Sequence, residues 1–253
     1  MDYVEPAVAR EMDGLRLALS AHVPAPYGMS ARAILDHHGV AYVPVRQVVA
    51  GENEDLVAWT GHRNAPVAVY NDEVPRVRWL EILNLAERLG SGPSLFPSDI
   101  DDRMLMVGLS NELIGENTFI WNLRLVMLGF GGPERAARER LRNPMYDQYG
   151  YSEEAAGLAV DRAKVVADRL TAQLLAQREA GRRYIVGETL SAVDIYWVYF
   201  SQAVRTFPEA VCETPPGMRR VYEAAARALG DVDPILVEHR DRILAERDLP
   251  LDF

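Results

Sequence analysis

Apolar and polar positions alternate from Leu15 to Ala21, LRLALSA, and this predicts a short strand. A proline-bearing stretch, HVPAPYGM, follows. From Ser30 the spacing turns helical: Ala31, Ile34, Leu35 and His38 recur on one face, and Gly39 is placed to cap the end. Alternation returns over Val40 to Val49, and again over Val67 to Tyr70 after Asn64-Ala65-Pro66. Asn71-Asp72-Glu73 is turn material, and Val74 to Val77 is placed as the hairpin partner. Leu80, Ile82, Leu83, Leu85 and Leu89 then mark an apolar helix. The predicted order over residues 15–89 is β-α-β, loop, β-β-α.

Beyond this point the pattern changes. Residues 90–98 are rich in Gly, Ser and Pro and read as a linker. Residues 99–253 then read as entirely helical. The longest periodic runs are Arg103 to Gly129 and Ser152 to Ala180. A third begins at Ser191 and ends near Arg205. Shorter runs cover Arg219 to Leu229 and Pro234 to Arg247. Residues 1–14 stand before the first strand as an N-terminal extension. The chain shows no internal repeat.

Composition narrows the partners. The 253 residues are 49% hydrophobic and 25% charged, which suits a packed globular chain and excludes wholesale disorder. The most apolar windows, such as Leu123 to Gly132, contain Arg124 and fall short of the ~18 residues a membrane span needs. The net charge of −10 argues against nucleic acid as the main partner. Residues 1–14 lack an apolar core, so no secretory signal is read there, and Cys212, the single cysteine, has no partner for an internal disulfide. A cytoplasmic setting is the expectation. Lys164 is the only lysine among 27 basic residues, a bias that fits a GC-rich bacterial genome. No Cys, His and carboxylate set has metal-ligand spacing. His37-His38 point to different helix faces, and His239-Arg240-Asp241 read as a surface ion-pair cluster.

An α/β unit in this order, followed by a helical domain, resembles the cytosolic glutathione S-transferase superfamily over nearly the whole chain. The strongest motif is Tyr184-Ile185-Val186-Gly187 followed by Ser191-Ala192-Val193-Asp194-Ile195. Its Ser and Asp form a capping box, with Leu190 and Ile195 as a hydrophobic staple. The string resembles the N-capping box of the transferase helical domain, which bears on folding and not on activity. Asn64-Ala65-Pro66-Val67 resembles the family's cis-proline motif; a trans proline opening an edge strand is the plainer alternative. The resemblance implies a thioredoxin-like α+β domain at residues 15–89 and an all-α helical-bundle domain at 99–253.

The same resemblance implies where glutathione would lie. Ala25-Pro26-Tyr27-Gly28 resembles the Cys-Pro-Tyr-Cys loop of glutaredoxins and cysteine-type transferases, with both cysteines replaced. Ala25 supplies neither thiol nor hydroxyl. The remaining catalytic candidates are Tyr27, His22 and Ser30, with Ser20 also near. The implied glutathione contacts are Ala25, Pro26, Tyr27, Asn64, Ala65, Pro66, Arg78 and Trp79. Arg78-Trp79 stand where the family places an acid and a serine. Asn111 and Trp121 are the expected pocket-lining residues for a small hydrophobic electrophile, and a homodimer is the implied assembly.

Three functions compete. The first is glutathione-dependent transfer, substitution or isomerisation. The second is a non-catalytic binding or assembly module that has lost the thiol site. The third is an enzyme that accepts another substrate in the same cleft.

Overall fold

The computed structural model describes residues 1–253, which form two compact units: Met1–Ser94 together with Leu249–Phe253, and Leu95–Asp248.

The first unit is built on a three-stranded sheet in the order β2-β1-β3. Strand β1 (Leu15–Ser20) runs parallel to β2 (Val43–Gln47) and antiparallel to β3 (Val67–Tyr70). The short helix α1 (Pro6–Ala9) precedes them. Helix α2 (Pro26–His37) crosses from β1 to β2, α3 (Glu54–Thr60) lies between β2 and β3, and α4 (Trp79–Leu89) follows β3. This is a thioredoxin-like arrangement. β1 is buried along most of its length because both faces are covered, and Arg16 is buried with the apolar residues. Ala18, Val45, Leu56, Val67 and Val69 form one core cluster, joined by Ala9 from the segment before the first strand.

Several local expectations shift. Helix α2 starts at Pro26 and not at Ser30, because proline suits the first helical position and its fixed φ begins the turn. The Val74 to Val77 strand is reduced to a single bridge, Ala68 with Arg76. Pro75 has no N–H to continue a ladder there. The predicted strand over Val40 to Val49 shortens to Val43–Gln47. Val4 adds a parallel bridge to Val45, so residues 1–14 are part of the unit and not a loose extension.

The second unit is wholly helical: α5 (Ile100–Ile114), α6 (Phe119–Gly129), α7 (Pro133–Arg140), α8 (Met145–Gln148), α9 (Glu153–Glu179), α10 (Ala192–Phe200), α11 (Pro216–Leu229) and α12 (Ile235–Glu246). The single helix expected over Arg103 to Gly129 is two. Asn117 takes a left-handed φ of 59° and the Thr118 hydroxyl donates to the Gly115 carbonyl at 2.7 Å, which ends one helix and starts the next. Along α9 the buried positions Ala159, Ala163, Ala167, Leu170, Leu174 and Gln177 form one stripe at helical spacing. Its small residues let α6 approach closely. Helix α10 is buried at all nine positions and is the centre of the bundle.

Its start is fixed by the predicted box. The Asp194 carboxylate accepts the Ser191 N–H at 3.0 Å and the Ser191 hydroxyl at 2.8 Å. It also accepts the Ile185 N–H at 2.8 Å. His239 and Arg240 are not a surface cluster. Both are buried, and the His239 ring meets Asp194 at 2.9 Å.

Candidate active site

The sheet register gathers three of the sequence-named segments. Strand β1 ends at Ser20 and leads into the loop before α2. Its partner β3 begins at Val67, paired with Ala18, so Ala65 and Pro66 lie at that same end of the sheet. The Ala68–Arg76 bridge continues antiparallel, which brings Arg78 back toward Pro66. The loop at Ala25, the pair Ala65-Pro66 and the start of α4 therefore share one end of the sheet. The Ala65–Pro66 peptide bond is cis.

At the loop, Ala25 is the N-cap of α2, with extended φ and ψ of −75° and 115°. The backbone is correct for a cap, but the side chain offers no acceptor. Pro26 at the first helical position removes one N–H, and the partial positive charge of a three-turn helix remains at this end. Tyr27 is half-buried. Ser30 is buried, and its hydroxyl donates to the Tyr27 carbonyl at 3.1 Å, so it is turned into the helix. His22 is exposed at a left-handed φ of 62°, with its ring edge-on to Tyr3 at 5.7 Å. The Ser20 hydroxyl donates to Gln47 Oε1 at 2.8 Å.

Gly28, in the loop's second cysteine position, has a packing role. A Cβ there would stand 3.2 Å from Leu19 Cδ2 on β1. The small residue lets the first turn of α2 lie close on the strand.

At the start of α4, Arg78 is exposed and Trp79 half-buried. The acid nearby is Glu81, whose carboxylate accepts the Val77 and Arg78 N–H groups at 3.1 Å each. Glu81 thus caps the helix and was not singled out from sequence, although an acid three residues into a helix is a recognisable capping signal. Asn64 is exposed.

In the second unit Asn111 is exposed on α5, and Trp121 on α6 packs on Tyr149 with centroids 4.5 Å apart. The Arg124 guanidinium lies 5.8 Å from the Tyr149 centroid. Tyr222 on α11 is fully buried and touches Arg124; burial raises its pKa, and the Arg124 charge and hydrogen bond oppose the rise. Trp121 therefore belongs to a mixed aromatic and cationic cluster, while Asn111 stands apart from it. Arg124, Tyr149 and Tyr222 lie on three separate elements, and no local spacing joins them. Asn122 is buried, donating from Nδ2 to the Asn117 and Thr118 carbonyls. Cys212 is buried in the second unit, and burial raises its thiol pKa, which makes it a poor nucleophile.

Neither a family model nor a curated protein matches the sequence. Solved structures do. A glutathione S-transferase domain-containing protein from Marinobacter aquaeolei aligns with a TM-score of 0.65 at 15% identity, over 93% of this chain and 100% of that one. A glutathione S-transferase from Methylobacterium radiotolerans, in complex with glutathione sulfonate, aligns at 0.63 and 17%, over 94% and 95%. The yeast prion protein Ure2p in complex with glutathione aligns at 0.55 and 15%, over 90% and 98%. This chain has the glutathione-transferase fold. Within that fold Ala25 stands at the N-cap of α2, and Arg78 and Trp79 stand at the N-cap and first position of α4. No helix is long and apolar enough to cross a membrane.

Proposed function

We propose that the chain is a glutathione-transferase-like protein of the cytoplasm that holds a glutathione thiolate with backbone rather than with a catalytic side chain. The observation that carries this reading is the cap of α2. Ala25 has cap geometry and its side chain brings no acceptor, so the positive end of the α2 dipole is not offset by a capping oxygen of Ala25 and favours an anion in this loop. A thiol of pKa near 8.5 is only a few per cent ionised at neutral pH, and a helix terminus lowers that value. Tyr27, half-buried in the same turn, is the side chain best placed to assist; His22 is exposed and Ser30 faces inward. Pro26, Asn64, Ala65 and Pro66 would frame the cysteinyl part, and Arg78 with Trp79 the glutamyl end. Trp121 and Asn111 are the residues proposed to meet a small hydrophobic electrophile. The reaction would be addition or substitution at an electrophilic carbon, gaining rate from orientation and from charge stabilisation.

The alternative, a non-catalytic binding module, is favoured by Ala25 itself. Calorimetric titration with glutathione, followed by a conjugation assay with an aromatic chloride, separates the two. Binding with measurable turnover supports the transferase reading. Absence of turnover, with or without binding, supports the module, which has lost the thiol site.

A homodimer completes the proposal. Ile100 and Met104 on α5 and Leu158 and Val165 on α9 are exposed apolar residues on helices that adjoin one another. Light scattering should give about twice 28.3 kDa, and Met104→Glu should reduce it to the single-chain mass.

A further inference from the structure

After α12 the chain rejoins the first unit, where Leu249–Phe253 packs with residues from β1 and α2. Arg32, on α2, directs its two Nη atoms at Asp252. Its Nη1 donates to the Asp252 carbonyl at 2.6 Å and its Nη2 to the Asp252 carboxylate at 2.9 Å. Its Nε donates to the Tyr42 hydroxyl at 3.0 Å, and Asp36 Oδ2 lies 3.9 Å away. The fork is thus oriented from behind by Tyr42 and Asp36, and its two Nη prongs hold a carboxylate and a carbonyl oxygen at once. The Arg32 side chain is 13% exposed while that of Asp252 is 64% exposed. The receptor side of the contact is built in, and the ligand side is open to water.

Beside this fork lies a small cavity. Apolar Leu19, Val23, Met29 and Phe253 line it together with Ala25, Gly28 and the Arg32–Asp252 pair. Burial acts against the charge on Asp252, and the Arg32 hydrogen bond and charge overcome it, holding the carboxyl below its usual range.

We propose that Arg32 and the apolar lining beside the first turn of α2 form a peptide-recognition site for an acidic-aromatic segment, occupied here by the chain's own Leu249–Phe253 as a releasable latch. The tether gives the segment a high effective concentration, so it fills the site without tight binding. The latch residues Asp252 and Phe253 line the same cavity as Ala25, so release changes what adjoins the loop before α2.

The test uses a fluorescein-labelled peptide, Leu-Pro-Leu-Asp-Phe, read by anisotropy. A chain ending at Asp248 should bind it, the 253-residue chain should not, and Arg32→Gln in the shortened chain should abolish binding. Absence of binding to the folded shortened chain, or equal binding by Arg32→Gln, overturns the proposal. Should the shortened chain fail to fold, carboxypeptidase release of Phe253 from the 253-residue chain decides. Arg32→Gln or Asp252→Asn should speed release about tenfold, the scale of a charge-assisted hydrogen bond. Unchanged release rates in both variants overturn it. Neither readout involves a thiol, so the result is independent of glutathione binding.

Discussion

His239 and Asp194, 45 residues apart, are joined in the interior of the helical unit by a 2.9 Å bond between Nε2 and Oδ1. Arg242 can only donate, and its Nη2 lies 3.1 Å from His239 Nδ1, which makes Nδ1 the acceptor and Nε2–H the donor. Asp194 therefore receives four donors: two from Ser191, one from Ile185 and one from His239. The start of α10 and the body of α12 are fastened through one carboxylate. Replacing His239 by Ala should cost roughly 2–3 kcal/mol, since it leaves a buried charged acceptor short of a donor. His239→Gln keeps an N–H and should cost less. Urea unfolding of both variants checks this, and equal losses would show that shape and not the donor matters.

Ala25→Ser should act twice. A serine at an N-cap with this backbone geometry supplies a side-chain acceptor at the start of α2 and should stabilise the protein by about 0.5–2 kcal/mol. It also places a hydroxyl where thiolate contact is proposed, so thiol-dependent turnover should rise. Tyr27→Phe should lower the native activity. Thermal unfolding and the conjugation assay read the two effects separately. A more stable Ser variant with unchanged turnover would place the thiol elsewhere.

Gly90 is held against the end of α2. A Cβ there would lie 2.4 Å from His38 Cβ and 2.5 Å from the His38 carbonyl oxygen. The carbonyl belongs to the backbone and cannot rotate aside. Gly90→Ala should therefore destabilise by roughly 1–3 kcal/mol, although alanine is otherwise favoured over glycine near a helix. A neutral or stabilising result in chemical denaturation would mean that the segment moves freely away from α2.

His38 should tie stability to mild acid. It is buried, and its Nε2 lies 3.3 Å from Glu87 Oε1 without hydrogen-bond alignment. Burial lowers its pKa, Glu87 acts to raise it, His37 lowers it further, and the net direction is down. The unfolded chain takes up this proton below about pH 6.5 and the folded chain only at lower pH. Stability should thus be full above pH 6.5 and fall as the pH drops toward the folded value. His38→Gln should flatten that slope, measured by urea unfolding across the pH range.

Alkaline pH should act through Tyr42. Burial and the nearby Asp36 push its pKa up to about 12, against the lowering effect of Arg32. The unfolded chain loses this proton near pH 10, so the folded state is disfavoured progressively between about pH 10 and 12. Tyr42→Phe should hold its stability better across that window, while losing the oxygen that orients Arg32.

The sequence by itself determined the periodicities and the punctuation. Alternation marked β1, and the Ser191–Asp194 spacing marked the start of α10, because both signals are local: side-chain period and capping chemistry need only near neighbours. The absence of thiol and hydroxyl at Ala25 was likewise legible without any coordinates, because it is a matter of residue identity alone. Tertiary structure decided what local spacing cannot express. The turn at Asn117 and Thr118 divides a run whose apolar content is continuous. His239, read as a surface residue beside Arg240 and Asp241, is buried because α10 offers it a carboxylate 45 positions away. Arg32 and Asp252 meet across 220 positions. Such pairings follow from how the helices and strands are arranged in space, and polar side chains in a linear pattern carry no mark of the partner that will bury them.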